Sequence, residues 1–281
     1  MRFWLCFFVS LTATASTDVV TRASALYQHT EYESSLRILA QDNAPDAPTY
    51  LLTGKNYFML GDYKKAVDSF EKALNENPRS SEAELWLGRA WGRRAESGGG
   101  PMAMIYASRT RQCFEKAIAL DPHNREAKND LFDFYLNAPG FLGGGIDKAE
   151  AAARGIATER PAEYEFEVAQ IAEKKSDFTA AEVHLRRAME LVPAEAGRIV
   201  DLARFLAKRG RLPESDRLFA EARALAPGKP GIALAEARTD IENHRNLDQA
   251  RKLLQVYLQS SLTPDDPPRQ EAEKLLKRAG G

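Results

Sequence analysis

Five prolines end similar sequence segments of helical pattern along the chain, and the spacing of these prolines constrains the fold more than any other feature. They are Pro78, Pro122, Pro161, Pro193 and Pro227, separated by 44, 39, 32 and 34 residues. Within each segment apolar residues recur at the three- and four-residue spacing of an amphipathic helix. A repeat of this length holds two helices joined by a turn. One such hairpin cannot bury its apolar stripe alone, so several must stack to form a continuous core.

The best-formed repeat covers residues 47–80. Its characteristic positions hold Tyr50, Thr53, Gly54, Tyr57, Ala66, Phe70 and Pro78. This pattern resembles the tetratricopeptide repeat (TPR), in which W-x2-L-G-x2-Y is followed by A-x3-F and a closing proline. Thr53 stands where that pattern has Leu. Residues 81–124, 162–195 and 196–229 carry similar patterns, and residues 17–46, 125–161 and 230–263 carry weaker ones.

The resemblance implies an all-α fold. We expect a right-handed α-solenoid of about seven TPR-like helical hairpins over residues 16–263, because several hairpins in series bury one continuous core. Residues 264–281 are expected to form a proline-rich turn and a capping helix, Gln270 to Arg278, that solvates the last hairpin.

The first residues indicate export. Met1-Arg2 precedes an apolar run, Phe3 to Leu11, and Ala13-Thr14-Ala15 fits the small-x-small rule for cleavage. This order is typical of a secretory signal peptide, here residues 1–15. The run is shorter than the roughly 20 residues that a membrane-spanning helix needs. The sequence therefore predicts a periplasmic or extracellular protein without a membrane span after cleavage. An uncleaved anchor or a wrongly chosen start is the alternative.

Two glycine-rich insertions interrupt the repeat. The first, Ser97 to Pro101, predicts a loop, after which Met102 to Ser108 should extend the second helix. The second contains Pro139, Gly140, Phe141, Leu142 and Gly143. It resembles a loop in a group of exported bacterial TPR proteins of unknown role, which favours a bacterial cell envelope. We expect Phe141 and Leu142 to pack back onto the hairpin. The alternatives are that this loop narrows a binding groove or, less in keeping with its sequence, that it holds a phosphate, since it lacks the Lys-Ser/Thr pair of a phosphate-binding loop.

Catalytic and metal-binding motifs are absent from the sequence. None of the four histidines has a ligand or catalytic partner at motif spacing, and H-E-x-x-H, C-x-x-C and G-x-S-x-G do not occur. Once residues 1–15 are removed, Cys113 is the remaining cysteine, and we expect it to be a buried small apolar residue. The net charge of −1 gives no hint of nucleic-acid binding. The sequence predicts no enzyme activity, metal or cofactor.

In other TPR proteins the first helix of each hairpin lines the concave face, and the resemblance places the binding groove there. The expected exposed groove positions are Lys55, Phe58, Arg89, Arg93, Asn129, Asp133, Asn137, Gln170, Lys174, Arg204 and Lys208. They lean basic, which favours an acidic or extended peptide bound through arginine. The alternative is a solvated face whose arginines cover apolar surface.

Three functions remain open at this point. The first is an exported scaffold that binds a protein or peptide partner in the concave groove. The second is a periplasmic small-molecule or transporter accessory protein with an enclosed pocket. The third is an enzyme whose site has no recognised motif, which would show clustered carboxylates or histidines of perturbed pKa.

Overall fold

The computed structural model describes residues 12–280, and that part of the chain folds entirely into helices, fifteen α-helices and one 3-10 helix, without a strand. The predicted all-α class is confirmed. Residues 1–11 of the predicted signal peptide lie outside the described residues, and the first helix runs through the predicted cleavage position after Ala15. The chain divides into an N-terminal unit, residues 1–144, and a C-terminal unit, residues 145–281. Each is described by itself.

The N-terminal unit contains three helical hairpins and one further helix. Its elements are α1 (Thr12–Gln28), α2 (Tyr32–Leu39), α3 (Ala47–Met59), α4 (Tyr63–Glu76), α5 (Ser81–Ser97), α6 (Gly100–Leu120), α7 (Arg125–Asn137) and the 3-10 helix η1 (Gly140–Leu142). Helices α1 and α2, α3 and α4, and α5 and α6 pack as hairpins.

Side-chain caps and small residues explain these hairpins. Asp46, Asp62 and Ser80 precede α3, α4 and α5, and each accepts a hydrogen bond from the backbone N–H three residues later. Within the hairpins, a Cβ atom at Gly54 would overlap the ring of Phe70, and one at Gly88 would overlap the ring of Phe114. Glycine at these two positions therefore lets the second helix bring an aromatic ring against the first helix.

The C-terminal unit also contains three hairpins. Its elements are α8 (Ile146–Ile156), α9 (Pro161–Lys174), α10 (Phe178–Leu191), α11 (Ala196–Lys208), α12 (Leu212–Leu225), α13 (Pro230–Glu242), α14 (Leu247–Gln259) and α15 (Arg269–Arg278). Helices α9 and α10, α11 and α12, and α13 and α14 pair. The fully buried Ala169 and Ala203 take the small positions of their hairpins. The two helices of the predicted hairpin 125–161, α7 and α8, belong to different units.

The last helix closes the C-terminal unit. Ala272 and Leu275 of α15 pack with Leu254 and Tyr257 of α14 in one apolar cluster. The Arg269 guanidinium donates to the carbonyl oxygen of Ser260 at 2.8 Å. The expected capping helix is thus present, and it buries apolar side chains as well as solvating the end.

Five of the hairpin turns share one backbone form. In each, a residue with a left-handed conformation follows the first helix, and these residues are Thr30, Gly61, Ser176, Gly210 and His244. Their φ angles lie between 52° and 79°. In all five, the N–H of that residue and the N–H of the next one donate to carbonyl oxygens of the last helical turn. Glycine is the residue that such a turn favours, but only two of the five have it.

The first insertion lengthens two helices instead of forming the predicted loop. Helix α5 ends at Ser97 and α6 begins at Gly100, so only Gly98 and Gly99 lie between them. Helices α5 and α6 have 17 and 21 residues, against 13 and 14 in α3 and α4. Pro101 falls in the first turn of α6, where proline is favoured because that N–H needs no helical partner. The loop prediction was wrong, and the predicted extension of the second helix is confirmed.

The second insertion forms a compact turn against α6. The N–H of Leu142 donates to Pro139, and that of Gly143 donates to Gly140. The Gly143 backbone lies beside the Arg111 side chain. Phe141 is 76% exposed, so the prediction that it packs back was wrong, whereas Leu142 is half-buried. Successive side chains of a 3-10 helix point about 120° apart, so this short turn cannot bury both neighbours.

Candidate functional site

The first helices of the hairpins lie closer together than the second helices do. Helices α1, α3, α5 and α7 contact one another in sequence in the N-terminal unit, and in the C-terminal unit α11 contacts α13, which in turn contacts the capping helix α15. Within either unit, the described second helices make no comparable contacts with each other. The first helices therefore line the inner surface of each unit, which we call its first-helix face.

On the N-terminal unit this face is organised around Trp86. The Lys55 ammonium of α3 lies 5.2 Å from the centre of the Trp86 ring. The guanidinium of Arg89, which is on α5 with Trp86, lies 4.9 Å from the same ring. The Phe58 ring meets Trp86 edge-on at 5.3 Å. Tyr63 extends the group, 5.4 Å from Phe58. The structure thus brings together three predicted groove residues through an aromatic ring that the sequence analysis did not single out.

The cations on this face are paired with carboxylates of neighbouring helices. Lys55 pairs with Glu82 of α5. The Arg89 guanidinium reaches two carboxylates of α7, Asp130 at 2.6 Å and Glu126 at 2.8 Å. Burial acts to lower the pKa of Arg89, but the two carboxylates outweigh it and the pKa is raised. Burial raises the pKa of Asp130 despite the nearby Arg89 charge. Lys55 and Arg89 therefore connect successive first helices.

The other predicted residues of the N-terminal unit are more exposed. Arg93 binds Glu96 at 2.7 Å and the Tyr63 hydroxyl at 3.2 Å. On α7, Asn129 is half-buried, while Asp133 and Asn137 are exposed. Asn137 donates its amide to the Asp133 carbonyl oxygen at 3.0 Å.

The C-terminal unit presents a different first-helix face. Arg198 pairs with Glu163 and, at 3.0 Å, with Asp201, so it connects α11 to α9. Arg204 and Lys208, one helical turn apart on α11, have no carboxylate within salt-bridge distance among the described residues. Lys208 is exposed and Arg204 is half-buried.

A second arginine crowds Arg204. Arg238 of α13 pairs with Glu271, yet its pKa is lowered, first by burial and then by the Arg204 charge. Like charges close enough to depress the pKa of an arginine mark an excess of positive charge on this face. Of the other predicted positions, Lys174 is exposed at the end of α9 and Gln170 is half-buried.

Two cavities of the N-terminal unit lie away from its first-helix face. One of about 390 Å³ lies between α2, α3 and α4, where Tyr50, Tyr57, Lys65 and Lys72 line it. A more open one lies between the turn at Leu60–Lys64 and residues Arg94 and Ser97. The insertion at residues 139–143 lines neither.

The groups of perturbed pKa are scattered. Burial raises the pKa of Asp240 to about 6, although Arg245 lies 2.8 Å away, and burial also raises the pKa of Asp201. Asp130, Asp201 and Asp240 lie on three different helices, and each is paired with an arginine. Cys113 is buried as predicted, and burial raises the pKa of its thiol to about 12. This protonated, buried thiol is a poor nucleophile.

The described residues offer neither a metal site nor a membrane-spanning helix. Residues 12–280 contain no group of three or more side chains that could hold a metal ion. In the same part of the chain, every helix is too short or too polar to cross a membrane.

Comparison with known proteins identifies the fold. Residues 47–80 match the family described as tetratricopeptide repeat. No curated protein matches the chain.

Solved structures of bacterial TPR proteins are similar in fold over two thirds or more of the chain. One from Parabacteroides merdae is 10% identical with a TM-score of 0.62, covering 95% of this chain and 100% of that one. A thermophilic protein from Thermus thermophilus is 17% identical with a TM-score of 0.55, covering 68% and 98%. The C-terminal part of a Cytophaga hutchinsonii protein is 14% identical with a TM-score of 0.50, covering 92% and 99%. At these identities the likeness concerns the fold alone.

The helical hairpins, the small residues that let their helices approach and the direct match at residues 47–80 agree with one another. Residues 47–80 are therefore a tetratricopeptide repeat, and the described chain has the fold of the TPR proteins it resembles.

Proposed function

We propose that this protein is an exported interaction scaffold that binds an acidic segment of a protein partner on the first-helix face of its C-terminal unit. The TPR fold is that of protein-interaction scaffolds. One observation carries the finer proposal: Arg204 and Lys208 stand one turn apart, and no carboxylate of the described chain lies within salt-bridge distance of either, although the Arg204 charge acts on Asp201.

The chemistry of this face favours a carboxylate ligand. A guanidinium binds a carboxylate through two parallel N–H donors, and such charge-assisted bonds are stronger than neutral ones. The Arg204 charge already acts on Arg238. An incoming Asp or Glu would relieve that repulsion and add its own hydrogen bonds. An extended acidic segment is thus the complementary ligand.

The exported setting rests on the sequence of residues 1–15 alone. The small-molecule alternative would need an enclosed pocket, and the insertion at residues 139–143 is the loop that could close one. That insertion lines neither described cavity, so the scaffold is the better supported of the two.

Site-specific photocrosslinking in the native host would test the proposal. A benzoylphenylalanine placed at Lys208 should capture a partner, and mass spectrometry should map the crosslink to a segment rich in Asp and Glu. The matched control position is Lys252, an exposed lysine on the second helix α14. A crosslinked segment without acidic residues, or equal capture from position 252, would reject the proposed face.

Charge reversal then separates binding from folding. Arg204→Glu with Lys208→Glu should weaken binding of the mapped peptide at least tenfold, since each cation near a complementary charge contributes on the order of 1 kcal/mol. The matched control reverses Arg217 and Lys252, both exposed on second helices of the same unit. It should leave peptide affinity within about twofold. If both double variants lose affinity equally, the attraction is nonspecific.

A further inference from the structure

The lengthened hairpin of α5 and α6 ends in an apolar tip. The residues added by the first insertion carry both helices past the ordinary hairpin length, and we call this end, residues 94–106, the overhang. Met102, Met104 and Ile105 in the first turns of α6 are 49%, 47% and 46% exposed. Three large apolar side chains at nearly half exposure within four residues are more than the scattered single residues expected on a surface.

An aromatic and cationic layer lies directly behind this tip. The rings of Trp91 and Tyr106 stack at 5.0 Å. The Arg94 guanidinium lies 4.7 Å from the Trp91 ring and donates to the Tyr106 hydroxyl at 2.8 Å. Arg109 lies 4.5 Å from the same Trp91 ring. Neither arginine is within salt-bridge distance of a carboxylate in the described chain, so both retain uncompensated charge.

The local charge opposes that of the whole chain. Residues 91–112 contain Arg93, Arg94, Arg109 and Arg111 but a single acidic residue, Glu96. Glu96 pairs with Arg93, and Arg111 pairs with Glu115. The chain as a whole has a net charge of −1. The overhang together with the residues on either side of it, 91–112, is therefore a positively charged end on a nearly neutral protein, and this end is complementary to an anionic surface.

The order of these layers matches the depth profile of a lipid interface. A helix rises about 1.5 Å per residue, so Arg109 lies roughly 6 Å behind Ile105. Interfacial segments bury their apolar side chains about 5–10 Å deep and hold basic residues against anionic lipid. Trp91 itself is buried and supports the two arginines from below. The apolar side chains here form a protruding end, whereas a peptide ligand is usually held in a groove.

We propose that the overhang is a membrane-contact site that inserts Met102, Met104 and Ile105 among lipids while Arg94 and Arg109 bind anionic headgroups. The site lies in the N-terminal unit and shares no residue with the proposed peptide-binding face. Loss of one activity therefore leaves the other measurable.

Vesicle flotation tests this site with the predicted mature chain, which begins at Ser16. The protein should float with vesicles of phosphatidylglycerol and phosphatidylethanolamine and stay behind with phosphatidylcholine alone. Replacing Met102, Met104 and Ile105 together by Ser should reduce the partition coefficient roughly tenfold or more, because each buried CH₂ group adds to membrane affinity. Arg94→Gln with Arg109→Gln should reduce binding to anionic vesicles by a similar factor.

Two matched variants sharpen the test. Val183→Ser with Val256→Ser removes two exposed apolar residues of the C-terminal unit, at 61% and 57% exposure, and should leave flotation unchanged. Glu96→Gln removes the single acid of the overhang and should strengthen binding to anionic vesicles about twofold. Circular dichroism and melting temperature confirm that each variant is folded.

Three results would overturn the proposal. The first is flotation that the triple Ser variant does not reduce. The second is equal binding to neutral vesicles, with no effect of the arginine changes. The third is a dimer in analytical ultracentrifugation that the triple Ser variant dissolves, which would assign the apolar tip to contact between copies.

Discussion

The two first-helix faces use the same residue types for different purposes. On the N-terminal unit, Lys55 and Arg89 each pair with a carboxylate of the next first helix and lie against Trp86. On the C-terminal unit, no described carboxylate lies within salt-bridge distance of Arg204 or Lys208, and no described aromatic ring lies against either cation. A cation at an exposed helix position is thus available to a ligand only when the adjacent helix does not supply its counter-charge. The N-terminal face is built for stability and the C-terminal face retains unused charge.

The strongest test of this contrast removes Trp86. Trp86→Ala should lower the free energy of unfolding of the N-terminal unit by about 3 kcal/mol, because the ring packs against Phe58 and Phe70 and supports two cations. In the chain beginning at Ser16, the sole remaining tryptophan of the variant is Trp91, so fluorescence reports urea unfolding of this unit alone. A loss below about 1 kcal/mol would mean that Trp86 is a surface residue and not the centre of the face.

Paired and unpaired arginines should differ when each is replaced by Met. Arg89→Met leaves Asp130, three-quarters buried, without its partner and should cost about 1–3 kcal/mol. Arg204→Met removes no ion pair and should change stability by less than about 0.5 kcal/mol. Urea unfolding followed by circular dichroism measures both. Equal costs at the two positions would remove the distinction between the faces.

The stability of the C-terminal unit should depend on the protonation of Asp240. Its pKa in the folded state, about 6, lies above the ordinary value of 3.8, so the folded state binds the proton more tightly. The contribution of Asp240 to the free energy of unfolding should therefore rise as the pH falls from 7 towards 4, by about 1–2 kcal/mol. Asp216, Glu236 and Arg245 also face this carboxyl group. Measuring the free energy of unfolding over the same pH range for Asp240→Asn, and subtracting it, isolates the contribution of Asp240. If the two proteins show the same pH dependence, Asp240 makes no such contribution.

The smallest expected effects on stability come from the hairpin turns, and we expect them to be the same in the two units. Thr30→Gly in the N-terminal unit and Ser176→Gly in the C-terminal unit should each raise stability by about 0.5 kcal/mol. Relief of the left-handed conformation is partly offset by the freedom of glycine in the unfolded chain. Gly210→Ala should lower stability by about 1 kcal/mol. Melting temperatures measure both effects. A lower melting temperature for the two glycine variants, or a higher one for Gly210→Ala, would contradict the prediction.

The hairpins could be predicted because short-range rules determine them. Caps such as Asp46 and Ser80, small residues such as Gly54 and the closing prolines all act within one helix or one hairpin. The same reasoning placed Cys113 in the core. It failed at Gly100-Pro101, where residues that often break helices instead begin one.

The candidate site was harder to predict because it depends on distances between hairpins. The sequence around Glu126 and Asp130 does not indicate that these carboxylates pair with Arg89, about forty residues earlier. Only the packing of α5 on α7 brings them together. Trp86 was missed because it lies outside the positions that carry the repeat pattern. Its spacing of three residues from Arg89 was the available signal, as residues three apart share a helix face.

The five shared turns show that a hairpin can form without the glycine that makes its repeat easy to recognise in the sequence. Thr30, Ser176 and His244 adopt the same left-handed conformation as Gly61 and Gly210, because the backbone hydrogen bonds at the end of the first helix hold it. The hairpin, and not the turn residue, imposes the geometry. The repeat that matches the family, residues 47–80, is one that also has glycine at its turn. Counting such repeats from sequence alone will therefore underestimate how many hairpins a chain like this one folds.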